Sequence, residues 1–137
     1  MNTDSSSQSS QSGNRTVLLI DDEQMVLEVG KAILQRLGHE VVTAESGEEA
    51  LEKFDQWKDA IGCVVLDLTM PGMGGKKTFG RLRELAPGLP IIISSGLSIE
   101  QMAGQFEAGP TTAFIQKPYQ VAELSSTIQN IFKSAGC

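Results

Sequence analysis

From residue 16 onward the apolar positions of the chain fall into two alternating patterns. Short apolar runs at 17–20, 41–44, 63–66, 91–94 and 113–116 are rich in β-branched and aliphatic residues and predict strands. Between and after them, segments at 24–37, 48–57, 75–86, 99–108 and 121–133 carry apolar residues at helical spacing. The last places Val121, Leu124, Ile128, Ile131 and Phe132 on one stripe, which predicts a core-facing helix. The punctuation agrees. Gly38 stands where a first helix should stop, Ser46 and Glu49 have capping-box spacing, and Ser98 can cap a fourth helix.

Five strands alternating with five helices imply an α/β fold with a parallel sheet covered on both faces. Right-handed crossovers make that sheet doubly wound. In such sheets ligands bind outside the carboxyl ends of the strands, so the chemistry should lie just after each strand. Residues 2–14 are almost wholly polar and predict a flexible tail or linker before a domain at 15–134, with a short tail at 135–137. No internal repeat is visible.

At 137 residues the chain has the length of one domain. Its net charge of −6 argues against a nucleic-acid partner, whose phosphates ask for a basic surface. The apolar runs are too short for membrane spans, and the first residues lack a signal peptide's basic and apolar regions. Cys63 and Cys137 lie 74 positions apart in no metal-ligand spacing, which predicts free thiols in a reducing cytoplasm. His39, the one histidine, follows a helix stop and has no triad context.

The predicted strand ends carry Asp21, Asp22 and Glu23; Asp67; Ser94 and Ser95; and Lys117. Carboxylates brought to one rim repel, and a hard divalent cation relieves that cost. Mg2+ takes a few carboxylates plus water and phosphate oxygens. Lys117 supplies a compact positive charge and Ser95 a hydroxyl donor, both suited to phosphoryl oxygens. A carboxylate can itself be the nucleophile, forming an acyl phosphate. Read alone, each group has a plainer reading as a helix start, a turn or a surface lysine. The stretch Gly72–Thr78 fails the spacing of a nucleotide-binding loop.

Four segments together resemble the response-regulator receiver family over residues 16–133. They are Val17-Leu18-Leu19-Ile20-Asp21-Asp22-Glu23, Val65-Leu66-Asp67-Leu68-Thr69-Met70-Pro71-Gly72-Met73-Gly74-Gly75, Pro90-Ile91-Ile92-Ile93-Ser94-Ser95-Gly96 and Ala113-Phe114-Ile115-Gln116-Lys117-Pro118-Tyr119. The resemblance implies a flavodoxin-like sheet of strand order 2-1-3-4-5. It implies Asp67 as phosphoacceptor, and Asp22 and Asp67 as ligands of Mg2+ (or Mn2+). The Thr69 backbone carbonyl would join them, with Asp21 acting through water or as a second ligand. It further implies Ser95 and Lys117 as phosphoryl-binding groups, Ser95 and Phe114 as switch residues, and a cis bond before Pro118.

The implied function is phosphorelay: a histidine kinase or histidine phosphotransfer protein gives a phosphoryl group to Asp67, and one face changes shape for an output partner. The chain would act as a monomer or a phosphorylation-linked dimer, as acceptor and not as a turnover enzyme. Two alternatives are a haloacid-dehalogenase-like Mg2+-dependent phosphatase and a docking module that works without phosphorylation. The first wants an acid two residues after its nucleophile, where Thr69 stands. A flavodoxin-like cofactor binder is disfavoured because Asp21, Asp22 and Glu23 would repel a phosphate. Leu97, two places after Ser95, cannot orient water, so self-dephosphorylation should be slow.

Overall fold

A computed structural model describes residues 16–70, 74–104, 106, 109 and 111–134; the expected tails at 2–14 and 135–137, and Cys137 with them, lie outside the described residues. The elements are β1 Thr16–Ile20, α1 Gln24–Arg36, β2 Glu40–Ala44, α2 Gly47–Trp57, β3 Ile61–Asp67, α3 Gly74–Leu85, β4 Ile91–Ser95, α4 Ile99–Ala103, β5 Thr112–Gln116 and α5 Val121–Ser134. The strands form one parallel sheet of order β2-β1-β3-β4-β5. The doubly wound sheet and its expected order are therefore both present.

Period two divides the strands between two cores. Leu18, Ile20, Val64, Leu66, Ile91 and Ile93 face one side, where Ala50, Phe54 and Leu82 of α2 and α3 pack with Met102 of α4. Val17, Leu19, Cys63, Val65, Ile92 and Ile115 face the other, against Leu27, Ile33 and Leu34 of α1 and Leu124, Ile128 and Ile131 of α5. All seven residues of β3 are buried, because this central strand is covered on both faces. Each such aliphatic side chain contributes roughly 1.5–3 kcal/mol by leaving water.

Three helix expectations need correction. The fourth helix, expected over 99–108, stops at Ala103 with Gly104 as its C-cap. Glycine is among the weakest helix formers, and Phe106 beyond it is already non-helical. Val121, expected on the core stripe of α5, is 52% exposed, leaving the burial to Leu124, Ile128 and Ile131. It heads the helix, one turn ahead of the first core residue. Ser46 accepts from the Glu49 N–H as a cap should, but the Glu49 carboxylate takes the N–H of Glu45 instead of closing the reciprocal box. The reciprocal box forms at Ser98 and Gln101.

At the amino end of the sheet, Arg83 from α3 joins three segments. Its guanidinium donates to the carbonyls of Pro87, Leu89 and Thr111 and to the Thr112 hydroxyl, and lies 5.3 Å above the Phe79 ring. Cys63 is free and buried, and burial pushes its thiol up to about 12. No helix of the described residues is long and apolar enough to cross a membrane.

Candidate functional site

The carboxyl ends of β1, β3 and β4, with the segment after β5, converge as the parallel topology requires. After β1, Asp21 keeps its N–H in the sheet on the Ala44 carbonyl (3.1 Å), and its carboxylate accepts from the Glu23 N–H at 2.9 Å. That tight turn sends the chain into α1. Asp21 is fully buried and Asp22 is exposed. Asp67 ends β3 at 1% exposure and accepts from the Thr69 N–H at 3.2 Å. Gly75 then passes so close that a Cβ there would stand 2.4 Å from the Leu68 carbonyl oxygen and 2.5 Å from that of Asp67. A side chain at this position would push the Asp67 loop aside.

Lys117 follows β5, with its own N–H on the Ser95 carbonyl at 2.8 Å. Its ammonium lies 3.0 Å from Asp21 Oδ2, 3.3 Å from Asp67 Oδ1 and 3.8 Å from Glu23 Oε1. The Lys117–Pro118 bond is cis, as the resemblance implied. Asp21, Asp22 and Asp67 each offer a carboxylate oxygen within 4.8 Å of the others. Burial first, then the charge of Asp21, pushes the Asp67 carboxyl up to about 6 even though Lys117 pulls it down. Burial alone would lower Lys117, but the hydrogen bonds and charges of Asp21 and Asp67 outweigh it and hold the ammonium above its usual value. Among the described residues the rim is a crowded anionic pocket with Lys117 as its internal cation.

Ser95 is 2% exposed, and its hydroxyl accepts from the Leu97 N–H at 3.1 Å. Phe114 lies on β5 opposite Ile93, half-buried, with its ring 6.2 Å from that of Phe106. Asp21, Asp22, Asp67, Thr69, Ser95 and Lys117 thus all belong to the strand-end rim, while Phe114 lies two register pairs back from Ser95. Ser94, named at its strand end without a role, and Tyr119, not selected from sequence, also stand out. Ser94 is fully buried and Tyr119 is 9% exposed, and their hydroxyls are 3.1 Å apart. A serine inside an apolar strand run was the available signal, since a buried hydroxyl needs a partner.

The family model for the response regulator receiver domain matches residues 17–129. The chain belongs to that family. It is 34% identical over 122 residues to the sensor kinase CckA of Brucella abortus, covering 89% of this chain and 13% of the kinase. It is 29% identical to the chemotaxis protein CheY of Thermotoga maritima, over 87% of this chain and 98% of that protein. It spans about half (52%) of the response regulator TodT of Pseudomonas putida at 31% identity. Among solved structures, a putative response regulator from Chloroflexus aurantiacus superposes with a TM-score of 0.75 at 32% identity, covering 88% of this chain and 98% of that one. A Borrelia burgdorferi CheY, solved with CheX, beryllofluoride and magnesium, superposes at 0.77 with 28% identity, covering 85% and 88%.

This receiver domain of two-component signalling therefore has the flavodoxin-like fold of CheY. Receiver domains in general bind Mg2+ at an acidic pocket, and the Asp21, Asp22 and Asp67 cluster is such a pocket.

Proposed function

We propose that Asp67 is the phosphoacceptor of this receiver domain and that Ser95 and Lys117 take up the oxygens of the phosphoryl group it acquires. The observation that carries this reading is the burial of Asp67 with its carboxylate oxygen 3.3 Å from the Lys117 ammonium, inside the acidic cluster. Asp22, Asp67 and the Thr69 carbonyl would hold Mg2+, with Asp21 acting through water. The donor set is all oxygen and carries excess negative charge, which suits a hard divalent cation. When bound, the metal offsets the repulsion among the carboxylates and the charge on the transferring group.

An Asp67 oxygen attacks phosphorus in line, the P–N bond of a donor phosphohistidine breaks, and its electron pair returns to the imidazole nitrogen. Lys117 keeps its proton throughout and shifts its contacts from carboxylate toward phosphoryl oxygen. Ser95 rotates its hydroxyl from the Leu97 N–H toward the new oxygens. Space vacated near β5 lets Phe114 turn inward, which alters the face of α4, β5 and α5 for an output partner or a second copy. Such a switch requires two packings within a few kcal/mol of one another.

Leu97 and Thr69 line the depression beside the acceptor, together with Lys76 and Lys77. No carboxylate or amide stands among these four to orient a water, which supports slow loss of the phosphoryl group. The domain would then act in the cytoplasm as an acceptor and not as a turnover phosphatase, with a histidine kinase or phosphotransfer protein as its donor. Acetyl phosphate with Mg2+ should label the wild-type chain and leave Asp67→Asn unlabelled. Label retained by the folded Asp67→Asn variant would refute the assignment.

A further inference from the structure

Three polar groups that the proposed chemistry does not use form a line through the interior beside it. Tyr119 Oη lies 3.1 Å from Ser94 Oγ, and Ser94 Oγ lies 3.4 Å from the Leu66 carbonyl oxygen. The carbonyl can only accept, so Ser94 donates to it and Tyr119 donates to Ser94. Each member of this relay neighbours a member of the site. Leu66 precedes Asp67, Ser94 precedes Ser95, and Tyr119 follows Lys117 by two residues. Successive residues of a strand point to opposite faces, so Ser94 reaches toward α1 and α5.

The slot for Tyr119 is built into α1. A Cβ at Gly30 would stand 3.3 Å from the Tyr119 ring and 2.9 Å from Leu19 Cδ2, so glycine makes room for the ring. Lys117 is consequently tied to β4 on both sides, by its own N–H on the Ser95 carbonyl and by Tyr119 on Ser94. β4 is tied in turn to β3, since the Leu68 N–H donates to the Ser94 carbonyl at 2.8 Å.

We propose that Tyr119 is a positioning residue for the phosphoryl chemistry: its hydroxyl, through Ser94, fixes the backbone from which Lys117 reaches toward Asp67. This rests on the reading of Asp67 and Lys117 given above. A lysine stem is flexible and loses rotamer freedom when its end is held. Anchoring its backbone on both flanks reduces what remains to be ordered when a phosphoryl group arrives. The role is separable from folding, because Tyr119→Phe keeps the ring and leaves Ser94 bonded to Leu66.

The test titrates beryllofluoride, a phosphoryl mimic, into Mg2+-saturated protein. Tyr119→Phe should weaken its binding by about three- to tenfold, the size of one neutral hydrogen bond, with Mg2+ affinity unchanged. In a Lys117→Met background the same substitution should have no further effect, since a double-mutant cycle isolates coupling through the lysine. Cys63→Ala, a core change on the same side of the sheet, should lower stability without touching beryllofluoride affinity. Wild-type affinity in Tyr119→Phe, or an equal loss with and without Lys117, would overturn the proposal. Failure of the wild-type protein to bind the mimic would instead remove the Asp67 reading on which it rests.

Discussion

The two ends of the sheet each hold one long cation, and the two cations do opposite things. At the amino ends of β4 and β5, Arg83 meets, among the described residues, neutral oxygens alone, three carbonyls and a hydroxyl, with the Phe79 ring beneath it. Its planar, fixed donors reach acceptors on two separate segments at once and so pin the α3–β4 turn to the start of β5. At the carboxyl ends, Lys117 meets Asp21 and Asp67, two buried carboxylates that also repel one another. One end is a satisfied knot; the other keeps an unrelieved excess of negative charge. The knot ties the fold together, while the repulsion at the other end is what a bound cation would relieve on the proposed reading.

The largest effect that breaks this contrast is the removal of the Asp67 charge. The Asp67 carboxyl is raised to about 6, above its ordinary value of 3.8. Below the ordinary value both folded and unfolded chains are protonated there and nothing is lost. Between 3.8 and about 6 the unfolded chain gives up this proton while the folded chain keeps it, so stability falls across that window, and above 6 the buried charge costs the fold about 3 kcal/mol for a shift of this size. Metal-free Asp67→Asn should therefore unfold at higher denaturant than wild type at pH 7.5, with the gap closing as pH falls below 6. The urea midpoint against pH decides it, and a less stable variant at pH 7.5 would show that the rim is not frustrated.

Arg83→Met is the converse. It leaves the Thr111 and Leu89 carbonyls without the guanidinium and should cost about 2–4 kcal/mol, since removing one partner of a buried polar group exposes the full desolvation penalty of the rest. Mg2+ binding at the far rim should be unchanged, because the substitution lies at the opposite end of β4. Urea unfolding and a metal titration on the same sample measure both, and a coupled loss of metal affinity would tie the two ends together.

The same contrast explains what could be read in the sequence. The parallel sheet and the rim of Asp21, Asp67, Ser95 and Lys117 were legible because strand period and parallel topology fix which residues reach the carboxyl ends, whereas the strand order followed only from the family resemblance. The stop of α4 was legible in principle from Gly104, but helical spacing through Phe106 and Ala108 masked it. The Arg83 knot was not legible, since its partners Thr111 and Thr112 lie 28 and 29 residues away and nothing local marks them. Ser94 announced a need for a partner without saying which; Tyr119, 25 residues on, meets it only after α1 and β5 have packed.

The smallest expected effect sharpens the comparison by asking whether charge or burial makes the site end costly. Glu23 stands 3.8 Å from the Lys117 ammonium, only slightly farther than Asp67, yet its side chain is 64% exposed against 1% for Asp67. Water and salt screen such a pair, so Glu23→Gln should change stability by no more than about 0.5 kcal/mol. The change should vanish as ionic strength rises well above about 0.1 M, where the screening length falls below 10 Å. Paired urea titrations of Glu23→Gln and Asp67→Asn at low and high salt make the measurement. If Glu23→Gln shifted stability as much as Asp67→Asn, the cost at this end would arise from net charge over the whole rim, and burying two carboxylates would not be its cause.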